Sequence, residues 1–175
     1  LVSFVASKEV EKLKPLVLEV VEKALLPFEA MRKEEGKAIE REFTKRLDLL
    51  QVCLKAIEKL QGKTVEIYRK KLQKRMDELF SQAAHDERVA KEMALLAEKL
   101  DISEEISRLH MHLKAFSTTM KAKESEGKKL EFILQEILRE FNTIGSKAQD
   151  AAIQERVIEA KCEIEKMREQ VQNVE

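Results

Sequence analysis

Four glycines and two prolines are all the turn-favouring residues of these two types in the 175-residue chain, where average usage would supply about twenty. Hairpins and strand connections draw on both, so an all-β or α/β chain is excluded in favour of long helices. Tryptophan is absent and tyrosine occurs once. Cys53 and Cys162 are far apart and lack paired spacing, which argues against a disulfide framework or a zinc site and fits a reducing compartment. No apolar run approaches the ~20 residues that a bilayer span needs. Charges cut Pro15-Leu16-Val17-Leu18 within a few positions. No secretory signal is visible, so the expected location is cytoplasmic, with no membrane contact. The 33 acidic residues cancel the 33 basic ones, so binding of nucleic acid would have to rest on local clusters rather than on bulk charge. The start at Leu1-Val2-Ser3, without Met, is expected of the later part of a longer protein.

What is present reads as helix. Val17, Val21, Ala24, Phe28 and Met31 draw one helical stripe, and it resumes at Ile39, Phe43, Leu47, Leu50, Leu54 and Ile57. Pro27 removes a hydrogen bond inside this pattern, which predicts one long bent helix or two in series. Gln61-Gly62-Lys63 reads as its end, and Val65, Tyr68, Leu72, Met76 and Leu79 as a return helix. Residues 1–80 are thus expected to form a long helical hairpin. After a connection near Ser81 to His85, Asp86 can cap a helix burying Val89, Met93, Leu96 and Leu100. Asp101 with Glu104 resembles a capping box for the next helix. Ser125-Glu126-Gly127 breaks the chain, and a turn or distortion is expected at Asn142-Thr143-Ile144-Gly145-Ser146. From Ile153 onward, Val157, Ala160, Ile164, Met167, Val171 and Val174 hold heptad spacing, as in a coiled-coil seam. The expected fold is all-α, an elongated helical bundle forming one continuous domain. Residues 81–147 carry the candidate site and 148–175 the C-terminal heptad helix.

The usual catalytic and phosphate-binding motifs are absent. What remains is a set of carboxylates and a histidine. At 100° per residue, Asp101, Glu105, Arg108 and His112 share an arc of about 60°, beside the apolar arc of Ile106, Leu109, Leu113 and Phe116. His110 lies opposite His112, so the pair is not a two-histidine metal site on a helix. On the following helix Glu136 and Glu140 are spaced i, i+4, where like charges repel unless a cation intervenes. A pocket gathering Asp101, Glu105, His112 and Glu136 would suit Mg²⁺ or Mn²⁺. His112 could instead act as general acid or base. The competing reading is a row of solvated salt bridges. Lys121, Lys123, Lys128 and Lys129 could grip phosphates, diluted by Glu124 and Glu126.

The stretch Asp86-Glu87-Arg88-Val89-Ala90-Lys91-Glu92-Met93, then Asp101-Ile102-Ser103-Glu104-Glu105 with Arg108-Leu109 and His112-Leu113, resembles the C-terminal region of the bacterial YicC-like proteins. Gly127-Lys128-Lys129-Leu130, Gln135-Glu136, Arg139-Glu140, Asn142 to Lys147 and Met167 to Glu175 continue the resemblance. It implies a cytoplasmic, stress-associated, metal-dependent endoribonuclease that acts on RNA as a homo-oligomer, a hexamer, with no small-molecule cofactor. The family's N-terminal region would be missing from this chain. Carried over residue by residue, the resemblance assigns Asp101, Glu105, His112, Glu136 and Glu140 to a metal and acid/base centre. It assigns Lys128, Lys129, Arg139 and Lys147 to RNA phosphates. Arg108 would either contact RNA or neutralise Asp101 and Glu105. The alternatives are a non-catalytic helical scaffold and an RNA-binding adaptor.

Overall fold

A computed structural model describes residues 2–79, 91, 94–95, 98–122, 126–148 and 150–174. Among these the only regular structure is helical: α1 (Val2–Leu79), α2 (Ser103–Met120), α3 (Gly127–Lys147) and α4 (Ala151–Val171). The all-α expectation holds. The expectations for Ser81 to His85, Asp86, Val89, Met93, Leu96, Lys123 and Ser125, and for the side chains of Val65, Tyr68, Leu72, Met76 and Leu79, fall outside the described residues.

The chain divides into two compact units, Leu1–Arg41 and Glu42–Glu175. The first is helical, and its described side chains from Leu13 to Ala38 are all exposed. Ten large apolar residues stand in that stretch, among them Leu26 at 70% and Leu16 at 62% exposure. Arg32 covers the ring of Phe28 at 5.8 Å, a cation–π contact.

The second unit is a bundle whose core follows the sequence stripes. Phe43, Leu47, Leu50, Leu54 and Ile57 of α1 are buried, as are Leu109, Leu113 and Phe116 of α2 and Ile133, Leu134, Ile137, Phe141 and Ile144 of α3. Phe43 meets Phe116 edge to face, with ring centroids 5.4 Å apart, a favoured aromatic geometry. Cross-helix contacts fix the directions. Gln61 donates to Ser103 Oγ at 3.0 Å, Glu58 pairs with His110 at 2.6 Å, and Phe43 meets Phe116, so α2 runs antiparallel to this part of α1. Arg46 pairs with Glu163, and the Cys53 thiol donates to Glu159 at 3.8 Å, so α4 does the same. The result is an up-down-up-down bundle.

The seam Ile153, Val157, Ala160, Ile164, Met167 and Val171 is fully buried within this one chain. It packs the bundle. Asp150 opens α4 by accepting from the backbone N–H groups of Ala152 and Ile153 at 2.8 and 3.2 Å, a side-chain cap.

Two expected breaks are not formed. Gln61-Gly62-Lys63 lies inside α1, so no turn closes a hairpin over residues 1–80. Gly62 has helical neighbours on both sides and nothing within 4 Å of its would-be Cβ, and a lone glycine costs a long helix only about 1 kcal/mol. Asn142 to Ser146 likewise lies inside α3. There Ile144 is buried and the hydroxyls turn inward to the helix: Thr143 donates to the Arg139 carbonyl and Ser146 to the Thr143 carbonyl. Gly145 lets Val157 approach, since a Cβ there would lie 3.3 Å from Val157 Cγ1. The end of α3 is instead sealed by Gln154, whose amide donates to the carbonyls of Gly145 and Ala148.

Candidate active site

The site is built where α2 and α3 run antiparallel. Lys147 meets Glu105 at 2.8 Å, Arg108 meets Glu140 at 3.5 Å, and His112 meets Glu136 and Glu140. Ascending along α2 descends along α3. Both helices bury one face, so the groups just beside those faces are forced together across the contact.

At its centre, one ligand atom each from His112, Glu136 and Glu140 lies within 4.8 Å of the other two. Glu140 is buried, while His112 and Glu136 are half-buried. No hydrogen bond claims any of the three side chains among the described residues. Cations stand near, at ion-pair distances longer than a hydrogen bond prefers: Arg108 at 3.5 Å from Glu140, and Arg139 at 3.7 Å from Glu136. The second nitrogen of Arg108 is held by Glu104 at 2.5 Å. One nitrogen and two carboxylates with open lone pairs form a donor set that fits Mn²⁺ or Mg²⁺.

Asp101 and Glu105 do other things. Asp101 precedes α2 by two residues, so it leaves the strip that the helical wheel gave it. Its carboxylate accepts from the Ser103 N–H at 2.9 Å and from Gln61 at 3.5 Å. The hydrogen bonds from Ser103 hold its pKa below the ordinary carboxylate value, with Lys147 adding to the effect. The expected capping box does not form: Ile102 occupies the cap position with no side-chain hydrogen bond, and Glu104 is held by Arg108. Glu105 is 4% exposed. Its Oε1 pairs with Lys147 while its buried Oε2 has no hydrogen-bond partner. Lys147 also donates to the Asp101 carbonyl at 3.0 Å, tying the end of α3 to the start of α2.

Of the remaining residues, Lys128 is exposed at the first turn of α3, two turns before Glu136. Lys129 pairs with Glu126 at 2.5 Å. Arg139 is exposed. His110 is occupied by Glu58 on the other side of α2, so the two histidines point to different partners. Sequence reasoning missed a strip on α3, Gln135, Asn142, Thr143 and Ser146, which with Leu138 and Arg139 lines an open groove of about 480 Å³. Its signal was the polar spacing opposite the apolar stripe of that helix.

The fold and the site together define an all-helical protein with a carboxylate–histidine centre at a helix–helix contact. The family described as "Endoribonuclease YicC-like, C-terminal" matches residues 57–175, and the chain belongs to that family. It is 42% identical over 159 residues to the probable endoribonuclease YicC of Clostridioides difficile (strain 630), covering 90% of this chain and 54% of that protein. To the probable endoribonuclease YicC of Haemophilus influenzae it is 38% identical over 152 residues, 86% of this chain and 52% of that protein. The chain thus spans about half the length of the curated relatives it matches. No helix among the described residues is long and apolar enough to cross a membrane.

Proposed function

We propose that this chain carries the cleavage centre of a metal-dependent endoribonuclease, with RNA phosphodiester bonds as substrate. The observation that carries the reading is the convergence of His112, Glu136 and Glu140 in a chain of this family. These three would hold Mn²⁺ or Mg²⁺. A divalent ion at such a site supplies positive charge against a phosphoryl oxygen and acidifies water.

The chain's own residues supply the rest. Arg139, exposed beside Glu136, can meet a phosphate bidentately at the edge of the centre. Lys128 offers an exposed ammonium two turns away, and Lys129 can join it by leaving Glu126. Lys147 is already spent on Glu105 and the Asp101 carbonyl, so its first role is to hold α2 and α3 in register; Asp101 fixes the start of α2. Arg108 bridges Glu104 and Glu140, which holds the buried Glu140 side chain in place. Where the ion is held by the two carboxylates alone, His112 can instead receive or return a proton at the reacting oxygen. With water as nucleophile the products carry one kind of phosphate end; with the neighbouring 2′-hydroxyl as nucleophile they carry a cyclic phosphate.

The chain is also proposed to work as a homo-oligomer. The support is the row of exposed large apolar side chains from Leu13 to Met31, since surfaces of this kind mark contact sites.

The test is an end-labelled, partly structured RNA incubated with the chain in Mn²⁺ and in EDTA, alongside Glu136→Gln and Glu140→Gln. The expected result is cleavage that needs the ion and falls at least about 100-fold in either variant, with the melting temperature unchanged and the product ends showing the nucleophile. An RNA left intact in Mn²⁺ would turn the reading to a scaffold or adaptor.

A further inference from the structure

The groove along α3 has a chemistry of its own. Gln135, Arg139, Asn142 and Ser146 follow one another at steps of four, three and four, so they form one line about 16 Å long on the helix surface. Thr143 stands beside that line, and Leu138 contributes the apolar part of the lining. The groove is continuous with the candidate centre, because Arg139 belongs to both: it lines the groove and lies 3.7 Å from Glu136.

The hydroxyls in this line have already used their protons. Thr143 Oγ1 donates to the Arg139 carbonyl at 3.1 Å, and Ser146 Oγ donates to the Thr143 carbonyl at 2.9 Å. A hydroxyl whose proton is spent presents only lone pairs. While these bonds are made, Thr143 and Ser146 present acceptors outward, and a phosphate oxygen, which accepts as well, is the poorer partner for them. Gln135, Arg139 and Asn142 offer N–H donors, and no hydrogen bond within the described residues claims the amides of Gln135 and Asn142. The line thus has donors from Gln135 to Asn142 and acceptors at Thr143 and Ser146, at the end farther from the centre.

A nucleic-acid strand that satisfies this pattern offers acceptors along its backbone and an O–H donor at intervals. RNA does so through its phosphates and ribose 2′-hydroxyls; DNA has no such donor on its sugar. We propose that the α3 groove is the subsite that selects RNA over DNA, with Thr143 and Ser146 accepting from ribose 2′-hydroxyls of nucleotides some way along the strand from the scissile bond. Gln135, Arg139 and Asn142 hold the adjoining phosphates and sugar oxygens. This inference rests on the endoribonuclease reading and names the sugar chemistry that its site requires.

The experiment is equilibrium binding by fluorescence anisotropy in EDTA, where no ion-dependent cleavage occurs. Three single strands of one sequence are compared: RNA, DNA, and RNA carrying 2′-fluoro groups, which preserve an RNA-like sugar but cannot donate. RNA is expected to bind about tenfold more tightly than either of the others. Thr143→Val and Ser146→Ala should each lower affinity for RNA about three- to tenfold, the value of one hydrogen bond, and leave DNA affinity unchanged. Thr143→Ser should restore the preference, and thermal melts identify any variant that fails to fold. Equal binding of RNA and 2′-fluoro RNA overturns the proposal, as does a preference that survives both substitutions. If the wild-type chain cleaves RNA in Mn²⁺ yet shows no preference, the subsite is wrong and the nuclease reading stands. If it neither cleaves nor binds RNA, both fall.

Discussion

Replacing Gly62 by alanine tests the most consequential departure of the structure from the sequence pattern. In the structure Gly62 is an exposed residue inside α1, with nothing within 4 Å of the place a methyl group would take and no positive φ. Alanine there meets no atom and gains the full difference in helix propensity, about 1 kcal/mol. For a chain of this size that raises the midpoint of thermal unfolding by about 2–4 °C. If Gln61-Gly62-Lys63 were instead a turn with glycine in the left-handed region, alanine would cost about 1–2 kcal/mol. The two arrangements give opposite signs. Urea unfolding followed by far-ultraviolet circular dichroism measures the difference, and an unchanged m-value shows that the same surface is exposed. A lower midpoint with the same m would refute the continuous helix.

Other substitutions probe the packing and the charges. Arg46 is largely buried and is shared by Glu42 and Glu163; Arg46→Ala leaves the half-buried Glu163 with Lys166 alone, and a loss of about 1–3 kcal/mol in urea unfolding is expected. The Glu163 carboxyl is held below its ordinary pKa, chiefly by the hydrogen bond from Lys166 and then by that from Arg46. A depressed carboxylate pKa means that the unfolded chain binds more protons, so this stabilisation is present above the ordinary carboxylate range and is lost as pH falls through the folded value. Glu163→Gln should flatten the acid limb of stability against pH; a limb that keeps its slope would count against the assignment. Burial, and then the charge of Glu159, raises the Cys53 thiol pKa, whereas Cys162 is exposed. Iodoacetamide at pH 8 should label Cys162 well ahead of Cys53 by mass spectrometry, and equal rates would contradict the burial of Cys53.

What could be read in the sequence was the identity of the faces. The 4-3 spacing of Phe43, Leu47, Leu50, Leu54 and Ile57 located the buried side of α1 because periodicity marks the apolar face, although the same spacing from Val17 to Met31 marks a face that is exposed. The seam from Ile153 was legible for the same reason, although its partner was not. Spacing shows which side is apolar and leaves open what covers it. Turn signals misled at Gly62 and at Asn142 to Ser146, since a single glycine or a cluster of small polar residues breaks a helix only when nothing on either side sustains it. At the candidate centre, the i, i+4 pair Glu136 and Glu140 was visible from one helix. That His112 joins them depends on the register of α2 against α3, which no single helix encodes. The same limit hid the burial of Glu105, whose partner Lys147 is supplied by the other helix.

The three ion-pair and ligand contacts of the site all lie within residues 101–147, between two helices consecutive in the chain. Contacts of such short range require closure of only one modest loop, whose entropic cost grows slowly with length. Structures dominated by local contacts form quickly. The pairing of Glu105 with Lys147 and of Arg108 with Glu140 can therefore be established early in folding, ahead of the longer closures that bring Arg46 to Glu163 and Cys53 to Glu159. The geometry of the candidate centre is thus set by two helices consecutive in the chain, whereas the contacts of α1 with α4 span more than a hundred residues.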